Sequence, residues 1–191
     1  MPMRLDKIVP GLQAAEIVGD ADVEVADLAY DSRKAGPGTL FFCVPGLESD
    51  GHDFAPAAVE GGAMALVCER ALDLGVTEVR VADARAAMAP AASAFYDDPT
   101  SDLVVAGITG TNGKTTTAFL LHAILESSGM HSGLMGTVKQ LVGGEQEEVT
   151  RTTPEAIDLQ HTFRRMADAG DEACVIEVSS HAMVLHRCDA I

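Results

Sequence analysis

A glycine, a lysine and three threonines stand in a row at Gly113-Lys114-Thr115-Thr116-Thr117, and an apolar run, Leu103 to Ile108, leads up to them. Residue types at this spacing suit the holding of a nucleotide's phosphates. Lys114 supplies a point charge for the β- and γ-phosphates, and the Thr115 hydroxyl is a hard oxygen ligand for Mg²⁺. Gly110 and Gly113 let the main chain approach an anion with no Cβ in the way, and the first N–H groups of a following helix add the positive end of its dipole. The general phosphate-loop pattern asks for glycine where Ile108 stands, between Gly107 and Gly110, so this loop is a variant. The competing account is an ordinary strand-to-helix turn whose glycines serve backbone geometry alone.

A second group of candidates lies near the end of the chain. Ala173-Cys174-Val175-Ile176-Glu177-Val178 reads as a buried strand with one carboxylate, followed by Ser179-Ser180-His181. Ligands of open α/β sheets gather at the C-terminal ends of strands. A carboxylate there is costly unless paired, so Glu177 is expected to face a cation or a basic partner, and it is the candidate to complete a Mg²⁺ site with Thr115. His181 and His186 do not share a helical face and no acidic partner completes a zinc motif, so both read as local hydrogen-bonding residues. Thr152-Thr153-Pro154-Glu155 opens a helix, with Thr153 as N-cap and Pro154 at the first helical position. Their hydroxyls suit capping and suit an anionic or sugar-phosphate ligand equally. Asp31-Ser32-Arg33 offers a hydroxyl and a guanidinium in what is otherwise a turn, and Pro45 to Asp53 is either a plain connection or a binding loop.

The elements that must position these residues alternate strand and helix. Strands are expected at Val23 to Val25, Leu40 to Val44, Ala63 to Val67, Glu78 to Val81 and Leu103 to Ile108, the last of them buried. Helices are expected from Phe54 to Glu60 behind Asp53 and from Ala84 to Tyr96 behind Asp83, with Pro90 bending the second or beginning a new one. After the phosphate loop, Phe119, Leu120, Ala123 and Ile124 recur at helical spacing. Gly133 to Val138 is a strand or loop, and Gly143 to Glu148 an exposed hairpin tip. A helix with Ala156, Leu159, Phe163, Met166 and Ala167 on one face runs to Gly170. Asp97-Asp98-Pro99-Thr100-Ser101-Asp102 breaks every periodicity, which sets a domain boundary between residues 1–98 and 99–191. The fold class is α/β: a small N-terminal α/β domain, then a P-loop-type parallel-sheet domain.

The formal net charge of −16 over 191 residues argues against nucleic acid, whose backbone is bound by Lys and Arg clusters. An anionic nucleotide approaching so acidic a protein needs Lys114, backbone amides and a divalent cation close at hand. Cys43, Cys68, Cys174 and Cys188 form no C-x-x-C pair, and the first three lie in apolar runs, so they read as reduced core residues. Apolar runs long enough to span a membrane are missing, and the expectation is a soluble, cytoplasmic monomer with no membrane partner.

The loop Gly107-Ile108-Thr109-Gly110-Thr111-Asn112-Gly113-Lys114-Thr115-Thr116 strongly resembles the ATP loop of the Mur ligases and their folylpolyglutamate synthetase relatives, where the same departure from the general pattern is the norm. Asp31-Ser32-Arg33, Gly38-Thr39-Leu40-Phe41 and Asp50-Gly51-His52-Asp53-Phe54 are similar to the N-terminal substrate domain of the Mur ligases that add the third residue and the terminal dipeptide to the muramoyl peptide. Folylpolyglutamate synthetases lack that domain. Thr152-Thr153-Pro154-Glu155-Ala156, Glu177-Val178-Ser179-Ser180-His181 and His186-Arg187 favour the third-residue branch.

That resemblance implies an ATP-dependent carboxylate–amine ligase of peptidoglycan precursor synthesis, acting on UDP-N-acetylmuramoyl (UDP-MurNAc) dipeptide and an amino acid through an acyl phosphate. It implies that Gly110, Thr111, Asn112, Gly113, Lys114, Thr115 and Thr116 hold ATP, that Thr115 and Glu177 hold Mg²⁺, and that Lys114 and Glu177 are catalytic. Ser32, Thr152, Thr153, Ser179 and Arg187 are implied to contact the UDP-muramoyl substrate, and Leu47-Glu48-Ser49 falls where the family reaches the uridine. Arg151 stands where some members have Asn, and Leu185 where some have Gln. Members continue past the position of Ile191 with the rest of the ATPase sheet, a modified lysine near a second Mg²⁺ and a domain for the incoming amino acid. The expectation is therefore a truncated ligase that binds without completing ligation. The alternatives are a non-catalytic nucleotide or UDP-sugar module, a kinase or GTPase-like switch, and the branch that adds the terminal dipeptide.

Overall fold

Asp97 and Asp98 both adopt left-handed backbone, with φ of 60° and 45°, a conformation that a short polar side chain tolerates better than most. The chain divides just before them, into Met1–Phe95 and Tyr96–Ile191, three residues earlier than the boundary expected after Asp98. The computed structural model describes residues 2–12, 14, 16–46, 49–149 and 151–191. Each unit has its own five-stranded sheet, and the fold is mixed α/β with parallel-rich sheets.

The first unit runs β1 (Met3–Arg4), α1 (Leu5–Ile8), β2 (Glu16–Val18), β3 (Glu24–Val25), β4 (Asp27–Ala29), β5 (Thr39–Phe42), α2 (Ala55–Glu60), β6 (Ala63–Cys68), β7 (Thr77–Arg80) and α3 (Ala84–Phe95). The order β2-β7-β6-β5-β4 makes β4 to β7 a parallel run, with β2 antiparallel at one edge. Every residue of β5 is buried, as a parallel sheet covered on both faces requires. Phe41 and Cys43 pack with Ala55 and Ala58 of α2, while α3 packs against β5 and the short turn Val9–Leu12. The strand predicted at Val23 to Val25 pairs instead with β1 in a separate two-stranded ribbon.

Two helix starts differ in their caps. The Asp83 carboxylate accepts from the N–H groups of Arg85 and Ala86 at 2.8 and 2.9 Å, the N-cap expected of it. Asp53 does not cap α2. A 3₁₀ turn, Gly51–Phe54, precedes that helix, and Asp50 caps the turn by accepting from His52 N. Pro90 does not begin a new helix: α3 is one helix from Ala84 to Phe95, with Ala87, Ala89, Ala91 and Ala92 buried.

The second unit runs β8 (Val104–Ile108), α4 (Lys114–Ser127), β9 (Ser132–Met135), β10 (Gln140–Val142), β11 (Glu145–Glu147), α5 (Ala156–Ala169), β12 (Ala173–Glu177) and α6 (Ser180–Val184). Its sheet order is β11-β10-β9-β12-β8; β9, β12 and β8 are parallel, and β10 and β11 form an antiparallel hairpin turning at Gly143-Gly144. β12 lies between β9 and β8, and its side chains alternate. Cys174 and Ile176 pack with Leu159, Phe163 and Met166 of α5, while Val175 packs with Ala118 of α4. Glu177 shares the parity of Val175, so the alternation carries its carboxylate to the α4 side.

β8 was expected to be buried, and it is not. Among the described residues β8 pairs with β12 alone, and Val104 is 62% exposed. The inward face of α4 is also displaced from the one read in the sequence: Ala118, Phe119, Leu121 and Leu125 pack inward, while Leu120 and Ile124 are each 61% exposed. An apolar run states that a strand wants cover; it does not state which neighbour supplies it.

Candidate functional site

The loop between β8 and α4 takes its shape from two glycines. Gly110 has φ of 139° and Gly113, the residue preceding α4, has φ of 81°, both in territory that an L side chain rarely enters. Nothing lies within 4 Å of the position a Cβ on Gly113 would take, so the approach to the helix start is open. No side chain caps α4 among the described residues, which leaves its first N–H groups and the positive end of its dipole facing that opening. Thr111, Asn112 and Thr116 are exposed, and Thr115 is half-buried. Lys114 is half-buried as well: its ammonium folds back across the loop and donates to the Gly110 carbonyl at 2.8 Å.

Glu177 ends β12 with 1% exposure, and its carboxylate is held by donors from two other segments. Oε2 accepts from the Thr115 hydroxyl at 2.9 Å, and Oε1 accepts from the Thr137 main-chain N–H at 3.0 Å. The Thr137 hydroxyl is 3.4 Å from Oε2. The partners are thus two hydroxyls and an amide, not the basic side chain the sequence allowed for. Gly136 makes the arrangement possible. A Cβ on it would sit 2.3 Å from Glu177 Oε1, so the absent side chain is the space the carboxylate fills.

Thr153 links this strand end to the next segment. It was expected to cap α5, but the N-cap position belongs to Glu155, whose side chain makes no capping bond. The Thr153 hydroxyl, 2% exposed, donates to the Glu177 carbonyl at 2.9 Å and accepts from Ser179 N at 3.2 Å. A buried carbonyl at a strand end needs a donor, and here that need outweighs helix capping. The Ser179 hydroxyl accepts from Ala182 N and starts α6. Arg187 donates to the Thr153 carbonyl at 2.9 Å and to Glu155 Oε1 at 2.7 Å, and Arg151 donates to the same Glu155 oxygen at 2.8 Å. Thr152 meets Thr137 hydroxyl to hydroxyl at 3.0 Å. Thr115, Glu177, Thr137, Thr152, Thr153, Ser179 and Arg187 therefore form one connected hydrogen-bonded set. His186 contacts Asp189 at 2.6 Å, a local contact of the kind expected.

Ser32 lies in the first unit, in the 3₁₀ turn Ser32–Lys34. Asp31 caps that turn by accepting from Arg33 N, and it also accepts from the Arg33 guanidinium, which holds its carboxyl down to about 2. Farther along, the His52 ring is buried. Glu69 N donates to its Nε2 at 2.9 Å, so Nδ1 carries the proton and donates to Asp50 Oδ1 at 2.6 Å. The His52 amide, Arg70 and the His52 ring hold the Asp50 carboxyl far below the usual range. Of the loop Leu47-Glu48-Ser49, Leu47 and Glu48 lie outside the described residues.

Sequence reasoning passed over Gly136, Thr137 and Glu155. The first two sit in a segment left as strand or loop, where nothing local marks a glycine as room for a distant carboxylate. Glu155 stood in a quoted motif, but only the fold shows one carboxylate shared by two guanidiniums.

The family model for the Mur ligase family, catalytic domain, matches residues 24–106, and that for the Mur ligase middle domain matches residues 108–191. The chain belongs to the Mur ligase family. Among curated Mur ligases it is 45% identical over 190 residues to the UDP-N-acetylmuramoyl-L-alanyl-D-glutamate–2,6-diaminopimelate ligase of Caldanaerobacter subterraneus, covering 98% of this chain and 39% of that protein. It is 46% identical over 187 residues to ligase 1 of the same name from Clostridium acetobutylicum, covering 97% of this chain and 39% of that one. The chain thus spans about two fifths of the length of these relatives. Among solved structures, a ligase of the same name superimposes over 100% of this chain and 39% of its own, with a TM-score of 0.79 at 24% identity. MurF from Acinetobacter baumannii gives 0.66 at 21% identity over 94% of this chain and 36% of its own. These two likenesses establish the fold.

Proposed function

We propose that this chain supplies the nucleotide and muramoyl-substrate sites of an ATP-dependent ligase that adds the third amino acid to UDP-MurNAc-L-Ala-D-Glu. The observation that carries the reading is the placement of the buried Glu177 carboxylate beside Thr115, in the first turn of the helix that follows the glycine loop. One carboxylate and a set of hydroxyls make an all-oxygen donor set, which suits Mg²⁺, and the uncapped start of α4 with its open approach suits a polyphosphate. In this reading Thr115 and Glu177 hold Mg²⁺, and Gly110 to Thr116 hold ATP. A bound Mg²⁺ supplies charge neutralisation at the phosphates.

The residues of the chain do the rest. Lys114 exchanges its bond to the Gly110 carbonyl for phosphate oxygens and stabilises charge on the transferred group. Thr153, buried and bonded to Glu177 and Ser179, positions its neighbours rather than touching the ligand. Thr152, Ser179 and Arg187 in the second unit, and Ser32 in the first, contact the UDP-muramoyl peptide. Its carboxylate is a poor electrophile until phosphorylated, because oxide cannot leave whereas phosphate can. Attack by the amine then depends on positioning. No helix among the described residues is long and apolar enough to cross a membrane, and the reading takes the chain as a cytoplasmic monomer.

The test is ligand binding by the chain itself. Thermal unfolding with Mg²⁺ and ATP is expected to shift upward more than with Mg²⁺ and GTP. Calorimetric titration with UDP-MurNAc-L-Ala-D-Glu is expected to show binding that weakens in Ser32→Ala. Equal protection by the two nucleotides points to a different nucleotide protein, and absence of any uridine-ligand binding removes the substrate-domain assignment.

A further inference from the structure

Thr137 stands between the cation candidates and the acceptor-substrate candidates. Its N–H fixes Glu177 Oε1 at 3.0 Å, and its hydroxyl lies 3.4 Å from Glu177 Oε2 and 3.0 Å from the Thr152 hydroxyl. A threonine hydroxyl has one proton to give and lone pairs to receive. Thr137 can therefore donate to Glu177 or to Thr152, but not to both. While Glu177 is an anion facing no cation, the charged oxygen is the stronger acceptor, since charge-assisted bonds are about twice as strong as neutral ones. Thr152 then donates to Thr137 and turns its own lone pairs outward.

Were a cation held by Glu177 and Thr115, it would weaken the pull of the carboxylate on the Thr137 proton. Thr137 donates to Thr152 instead, and the Thr152 proton is freed. We propose that Thr137 is a positioning residue that couples the two ligands: filling of the Thr115–Glu177 cation site converts Thr152 from hydrogen-bond acceptor to donor, which tightens binding of a substrate presenting carbonyl, carboxylate or phosphate oxygens. The coupling is reciprocal, so the same substrate tightens Mg²⁺-nucleotide binding by the same factor. This rests on the reading above, in which Mg²⁺ sits at Thr115 and Glu177 and the muramoyl peptide at Thr152. The main-chain bond from Thr137 N to Glu177 is independent of the side chain, so the hydroxyl can be removed without removing the support of the carboxylate.

The experiment is calorimetric titration of the 191-residue chain with UDP-MurNAc-L-Ala-D-Glu, with and without saturating Mg²⁺ and a non-hydrolysable ATP analogue. In the wild type and in Thr137→Ser the analogue is expected to tighten binding about five-fold or more, within the usual range of coupling between sites. In Thr137→Val the same comparison is expected to change by less than about two-fold. Thr137→Ala gives the same result should valine disturb the loop, and the melting temperature reports whether either variant has lost its fold. Equal tightening in wild type and in a folded variant lacking the hydroxyl overturns the proposal, as does binding of both ligands to the wild type with no mutual effect. Failure of either ligand to bind the wild type at all overturns instead the functional reading on which the proposal rests.

Discussion

The hydroxyl of Thr115 donates to Oε2 of Glu177 across 2.9 Å, joining the first turn of α4 to the last residue of β12. Glu177 is buried, so the loss of this donor is felt in the fold as well as in the site. Thr115→Val is expected to cost about 1–3 kcal/mol in unfolding free energy, the penalty of an under-satisfied buried carboxylate, and to abolish Mg²⁺-dependent nucleotide binding. Thr115→Ser keeps both. Urea denaturation and nucleotide titration of the two variants check this, and equal behaviour of serine and valine contradicts it.

Lys114 makes its bond to a carbonyl of its own loop, in a half-exposed position. Its removal is therefore expected to leave the unliganded melting temperature within a few degrees of wild type. Lys114→Ala should nonetheless remove the thermal stabilisation given by Mg²⁺ and ATP, since a point charge on the phosphates has no substitute in the loop. Retained stabilisation in a folded Lys114→Ala chain shows that Lys114 is not a phosphate ligand.

Gly136 tests the packing of the site without touching its chemistry. A Cβ placed 2.3 Å from Glu177 Oε1 requires the carboxylate or the main chain to move. Gly136→Ala is expected to destabilise the protein by about 1–3 kcal/mol, the usual cost of overpacking, and to weaken Mg²⁺-dependent nucleotide binding with it. A Gly136→Ala chain as stable as wild type, binding nucleotide as well, shows that the Glu177 pocket is looser than these distances indicate.

Acid sensitivity is expected from the first unit. Asp31, held down by the Arg33 guanidinium, and Asp50, held down first by the His52 amide and then by Arg70 and the His52 ring, have folded-state values below the ordinary carboxylate value of about 4. A depressed carboxylate contributes stability that is present above its unfolded value and lost as pH falls through its folded value. The window for Asp31 runs from about 4 down to about 2, and that for Asp50 extends lower. Circular-dichroism melts between pH 7 and pH 2 are expected to show a falling melting temperature below about pH 4. Asp50→Asn is expected to begin less stable at pH 7 and to decline less steeply. A decline of equal slope in both chains assigns the acid loss to other groups.

The sequence by itself determined the parts of this protein that rest on local rules. Gly110 and Gly113 announce backbone that only glycine adopts readily, Asp83 announces a helix start, and the alternation of apolar runs with amphipathic stretches announces an α/β fold. The shape of the loop between β8 and α4 needed nothing more, because it follows from two glycines and the helix start behind them. Tertiary structure alone decided matters in which distant segments compete for the same groups. β12 takes the place between β9 and β8, and Thr153 serves the Glu177 carbonyl rather than the helix start. Gly136, Thr137 and Glu155 acquired their partners the same way. Each meets a residue far along the chain, and periodicity, which reports only which face of an element is apolar, carries no record of what that face will meet.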